Sequence, residues 1–145
     1  MQKLELEAEV LQISIYTNII LLILKKHKQL SVNKILFFSY VIKKDNFRLG
    51  KIYTAKNTQD ILCKAISLLI GEYTDYCENV NFIIKAIHLL VVNKRVKING
   101  CILNWIDGTE VVNSPYVESP FIEKAIEESK KMSERQFMKE VIVNV

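Results

Sequence analysis

The chain has 145 residues, half of them apolar and a quarter charged, with four Gly and two Pro; this excludes a disordered chain or a loop-rich secreted scaffold and suits one core. Its net charge of +4 is unevenly placed, since nine basic residues between Lys25 and Lys56 stand against Asp45 alone and Lys94, Arg95 and Lys97 form a second cluster. Such a belt suits phosphate or an acidic partner, or is simply a solvated face.

Residues 4–10, LELEAEV, alternate apolar and acidic side chains as a half-exposed strand does, yet Leu4, Ala8, Leu11 and Ile15 share a helical face and Leu, Glu and Ala favour helix. Either way, residues 1–15 read as an N-terminal arm. Thr17 is suited to cap a buried helix running to about Lys28, with Ile19, Ile20, Leu22, Ile23 and Leu24 around most of its circumference and Lys25, Lys26 and Lys28 at the negative end of its dipole. The run from Ile13 to Leu24 is interrupted by Ser14, Thr17 and Asn18 and falls short of the roughly 20 apolar residues of a membrane span. No signal-peptide pattern opens the chain, so a cytoplasmic location is expected.

Ser31 caps the next helix, in which Val32, Ile35, Leu36, Ser39 and Ile42 recur inward while Lys34, Lys43 and Lys44 face water. Residues 45–57 have loop composition, although KIYTA suits a short strand. Asn57 or Thr58 then opens a helix through Ile61, Leu62, Ala65 and Leu69 that ends near Gly71, and Asn79 caps another. That second helix turns Phe82 or Ile83, Ala86, Ile87 and Leu90 inward and places Asn81, Lys85 and His88 on another side.

Asn99-Gly100 is a strong two-residue hairpin signal, because a type I′ turn needs positive φ at both central positions. The implied register pairs Ile98 with Cys101, Lys97 with Ile102, Val96 with Leu103 and Lys94 with Trp105. It turns Val96, Ile98, Cys101 and Leu103 to one face and Arg95, Lys97, Ile102 and Asn104 to the other. After a segment broken by Gly108, Pro115 and Pro120, an amphipathic helix starts near Ser119 and carries Phe121, Ile122, Ala125 and Ile126. It either continues through SERQFMKEVIVNV or gives way to a second short helix capped at Ser133.

The fold class is therefore mostly α with a small β-hairpin. Residues 16–106 form a winged-helix-like helical domain, and residues 107–145 are a linker and amphipathic helix. Phosphate-binding loops, zinc-protease motifs and nucleophile elbows are absent from the sequence, so no catalytic, cofactor or metal residue is assigned and no enzyme or small-molecule substrate is expected. His27 and His88 read as surface or structural residues, and the odd set Cys63, Cys77 and Cys101 as reduced core thiols. Lys85, Lys94, Arg95 and Lys97 are candidate contacts to phosphate or an acidic partner; Phe121, Ile122, Ala125 and Ile126 are a candidate partner-binding face. A helix offering only Asn81, Lys85 and His88 is a poor reader of base edges.

Taken together, YTNIILLILKKHKQLSVNKILFFSYVIKK, a polar loop, two helices, then LLVVNKRVKINGCILNWIDGTEVVNSPY and an amphipathic helix resemble the small middle components of bacterial ABC-three component systems, the group to which the accessory subunit of Lamassu-type phage defence is similar. That resemblance implies a non-catalytic adaptor beside an SMC-like coiled-coil ATPase and an effector subunit, often a nuclease, with DNA met through the complex. The alternative is a free-standing winged-helix DNA-binding regulator.

Overall fold

A computed structural model describes residues 2–45 and 71–144. In chain order they form α1 (Gln2–His27), β1 (Gln29–Ser31), α2 (Val32–Asp45), α3 (Tyr73–Val92), β2 (Val96–Asn99), β3 (Ile102–Trp105), α4 (Pro120–Ser129) and α5 (Glu134–Asn144). The fold is mostly helical, with one small three-stranded antiparallel sheet. The loop and helix expected between residues 46 and 70, and Cys63 with them, lie outside the described residues.

No Gly or Pro occurs before Gly50, and the first dozen residues are good helix formers, so arm and buried helix fuse into one helix of 26 residues. The boundary expected after residue 15 falls inside it. Thr17 is no cap: its hydroxyl donates to the Ser14 carbonyl at 2.7 Å, the back-bond open to a helix-interior threonine. As one helix, α1 is also long and apolar enough to cross a membrane, which the shorter run from Ile13 to Leu24 did not suggest. Tyr16, Ile19, Ile20, Leu21, Ile23 and Leu24 are buried at the centre of the fold, whereas Leu22 is only half-buried.

Lys28 ends α1 in the left-handed region at φ 73°, and the chain turns straight into β1, a strand the sequence pattern did not reveal. Ser31 caps α2 as expected, its hydroxyl accepting from the Lys34 amide at 3.3 Å. Ile35, Leu36, Ser39 and Ile42 are buried, but so are Phe37, Phe38, Tyr40 and Val41; α2 is enclosed on every side. Lys34 does not face water either. Its ammonium is buried, donating to the Met132 carbonyl at 2.9 Å and lying 3.6 Å from Glu134. Lys43 is half-buried, bonded to Gln12 and stacked 5.1 Å from the Tyr16 ring, while Lys44 pairs with Asp75 at 2.9 Å.

Helix α3 begins at Tyr73, six residues before the expected cap. Asn79 serves instead as a buried side brace, accepting from the Tyr16 hydroxyl at 2.8 Å and donating to the Asp75 carbonyl at 2.9 Å. Ile83, Ala86, Ile87 and Leu90 point inward as their spacing requires. At the other end the Arg95 amide reaches the Leu90 carbonyl (2.9 Å) and the Lys94 amide that of Val91 (3.1 Å), the paired bonds of a Schellman stop. That stop puts Lys94 at φ 58°, where a side chain is strained by about 1 kcal/mol or more. Lys94→Gly should therefore raise stability by roughly 0.5–1 kcal/mol, after allowing for the freer unfolded chain; a denaturant midpoint that falls would contradict this.

The sheet runs β1-β3-β2, with Leu30 opposite Leu103. In the hairpin Val96 faces Trp105, Lys97 faces Asn104, Ile98 faces Leu103 and Asn99 faces Ile102. The expected register was thus off by two: the turn is centred on Gly100 and Cys101, and positive φ falls on Gly100 alone of its two central residues (61°), the pattern of a II′ turn rather than I′. A slip of two preserves the faces, and Val96 and Leu103 are buried while Lys97 is exposed, but Ile98, expected on the inner face, is 40% exposed. Cys101 moves into the turn and is exposed, as is Cys77; neither is the core thiol expected.

The C-terminal region is two helices. Ser119 caps α4 by accepting from the Ile122 amide at 3.2 Å, with Pro120 in its first turn, and Ser133 accepts from the Gln136 amide at 3.1 Å ahead of α5. Phe137 packs edge-on against Phe37 (5.4 Å, 85°) and lies 5.9 Å from Phe38. The described buried residues form one cluster, to which Ile122, Ala125 and Ile126 of α4 and Phe137 and Val141 of α5 belong.

Candidate functional site

The basic residues picked out by the sequence separate once folded. Lys85, on α3, is held by Glu9 of α1. Arg95 is half-buried, its guanidinium donating to the Glu110 carbonyl at 2.7 Å while its own carbonyl accepts from the Thr109 hydroxyl at 3.1 Å. Lys94 and Lys97 are exposed and make no ion pair among the described residues. A cation not singled out, Lys28, sits 5.9 Å from the Trp105 ring, and its carbonyl accepts from the Trp105 amide at 2.7 Å. Two exposed lysines are free to touch phosphate, a contact that positions a protein on a duplex but carries no sequence information.

The candidate partner face on α4 lies inside the molecule. Ile122, Ala125 and Ile126 are fully buried and Phe121 is half-buried. These side chains belong to the one buried cluster, with α2 packed against the helix, so they offer no face to a partner. Exposed apolar surface is found instead on the first half of α1, where Leu4 is 70% and Leu11 59% exposed, and on α3 at Ile84, Leu89 and Val92.

One constellation was missed altogether. His27, at the last position of α1, is 4% exposed, and both its ring nitrogens meet carboxylates: Nε2 lies 2.8 Å from Glu118 Oε2 and Nδ1 2.5 Å from Glu127 Oε1. Ionised carboxylates only accept, so with both glutamates in that form both nitrogens donate and the ring is held as an imidazolium. Burial opposes that charge, but the bonds to Glu118 and Glu127 outweigh it and raise the imidazole pKa above its ordinary value. The same bond from His27 is the main cause holding Glu127 below the usual carboxylate range. Lys130 donates to the His27 carbonyl at 2.7 Å and lies 3.5 Å from Glu127; Lys26 meets Glu123 at 2.8 Å.

The Glu118 side chain is 7% exposed, and its Oε1 has no hydrogen-bond partner among the described residues. With a 1%-exposed side chain and both nitrogens engaged, His27 has no face for a substrate or an ion. It fastens residues 118–130 to the end of α1. Among the described residues no group of three His, Cys, Asp or Glu side chains is placed to hold a metal. His88 is exposed on α3.

No family model, curated protein or solved structure matches this chain. Its surfaces must therefore speak from their own chemistry, and they divide into a closed, cross-braced body and an open helical arm.

Proposed function

We propose that the chain is a non-catalytic adaptor subunit that joins an SMC-like coiled-coil ATPase to an effector subunit of nuclease type in a cytoplasmic bacterial anti-phage complex. The observation that carries the reading is the arm of α1: from residue 2 to residue 12 no side chain is buried, although Leu4, Leu6, Val10 and Leu11 are among them. Large apolar side chains held out on a preformed helix suit a protein partner. The resemblance of the α1-α2 and hairpin segments to middle components of three-component ATPase systems supports the same reading. The body is read as winged-helix-like, supported by the succession helix, strand, helix, then helix and hairpin, with the first strand beside the last.

The second reading, a DNA-binding regulator, draws on exposed Lys94 and Lys97. It is weakened by Lys85 and Arg95, whose polar groups are already engaged within the chain. Coexpression with a coiled-coil ATPase encoded beside it tests the choice. The adaptor reading expects one stable complex through size exclusion at physiological salt. A chain that elutes alone and binds one DNA site tightly would overturn it.

A further inference from the structure

Leu4, Ala8, Leu11 and Ile15 recur at spacings of four, three and four, the seam of a coiled coil. Leu4, Ala8 and Leu11 are exposed, and Ile15, where the seam meets the body, is half-buried. Glu5 and Glu7 flank that seam, exposed and with no ion-pair partner among the described residues. Glu9, by contrast, is already met by Lys85 on the side facing α3. No basic residue falls between Leu4 and Ile15. The seam is therefore apolar along its centre, flanked by Glu5 and Glu7 in its first half and by neutral Gln12 and Ser14 in its second, with Gln12 already bonded to Lys43.

This charge pattern selects the occupant. A second copy docked antiparallel would set Glu5 and Glu7 against neutral Gln12 and Ser14 and give neither carboxylate a cation. An anionic lipid surface would repel the same carboxylates. We infer that the seam of α1 docks an amphipathic helix of a partner protein whose own leucine-type seam is flanked by lysine or arginine. The helix contributes apolar burial along Leu4, Leu11 and Ile15, and its cations meet Glu5 and Glu7, which fixes orientation and partner choice more than affinity. The inference rests on the adaptor reading in that it names how one partner is held.

Two labelled peptides of about three heptads, alike in their leucine seam but flanked by lysine in one and glutamate in the other, are titrated with the full chain and followed by fluorescence anisotropy. The lysine peptide should bind at least ~10-fold more tightly at low salt, with the gap narrowing as salt rises. The double variant Leu4→Gln/Leu11→Gln should lose that binding while its unfolding midpoint stays unchanged, because both side chains are exposed. Equal binding of the two peptides, binding of neither, self-association of the chain that the double variant abolishes, or arm-dependent binding to phosphatidylserine vesicles would each overturn the inference. Should the peptides fail while the coexpressed complex remains stable, the seam is wrong and the adaptor reading stands. Peptide binding without any ATPase complex reverses that outcome.

Discussion

Replacing His27 with alanine is expected to lower the stability of the chain by about 3–5 kcal/mol, the range for removing one partner of a buried ion pair. Most of the loss comes from Glu118, whose side chain is only 7% exposed and whose Oε1 is already without a partner among the described residues. Removing the imidazolium leaves its other oxygen unmet as well. Glu127 adds little, being half-exposed and screened by water. If the penalty lies in the orphaned carboxylate, adding Glu118→Met to the His27→Ala chain should recover much of the loss. A second substitution that only adds to the damage would point to packing instead. Urea midpoints of the three chains separate these cases.

The same cluster gives stability a defined pH dependence. The imidazole pKa is raised by folding, so its contribution is complete below roughly pH 6.5, the unfolded value, and is lost as pH rises through the folded value. For Glu127 the sign is opposite: its pKa is depressed, so its share is complete above roughly pH 4.3 and fades as pH falls through the folded value. The clamp is therefore tightest between about pH 4.3 and 6.5. Wild-type stability should decline from pH 6 toward 9 by a component missing from His27→Ala; parallel profiles would remove the clamp from the account.

Phe137→Ala should be nearly as damaging, at about 3–5 kcal/mol. Its fully buried ring closes the cluster with Phe37 and Phe38 beneath the Lys34 ammonium, 6.0 Å from the ring centroid. Its removal empties a site bounded by α2, which is itself enclosed and has little room to collapse. A loss below ~1 kcal/mol would mean that α5 is an accessory rather than part of the core.

What the sequence made legible follows from how local each cause is. Ser31 announces α2 because a cap and its helix are neighbours in the chain, and Ser119 with Pro120 announces α4 for the same reason. The hairpin faces survived a register error because side chains alternate with a period of two; the error arose because Gly100 took the first central position of the turn that Asn99 was expected to fill. Thr17 and Asn79 look like caps by residue type, but their polar atoms found partners inside longer helices. Non-local causes stayed hidden. His27 is joined to carboxylates 91 and 100 positions away, and no spacing rule reaches that far. Lys34 and the α4 face were assigned to the surface by composition, since nothing in their own helices reveals that α2 and α4 pack together with α5. Lys85 looks like a free cation in the sequence because nothing local signals that α1 extends far enough to place Glu9 beside it.

Whether the braced body offers its α1 arm to a protein partner is decided by amide hydrogen exchange on the chain alone and in its copurified complex. Residues 2–12 should exchange quickly in the free chain and gain strong protection in the complex, while the buried amides of α1 beyond Tyr16 change little. An arm that exchanges at the same rate with and without the partner, while α4 or the hairpin gains protection, would contradict docking through the arm.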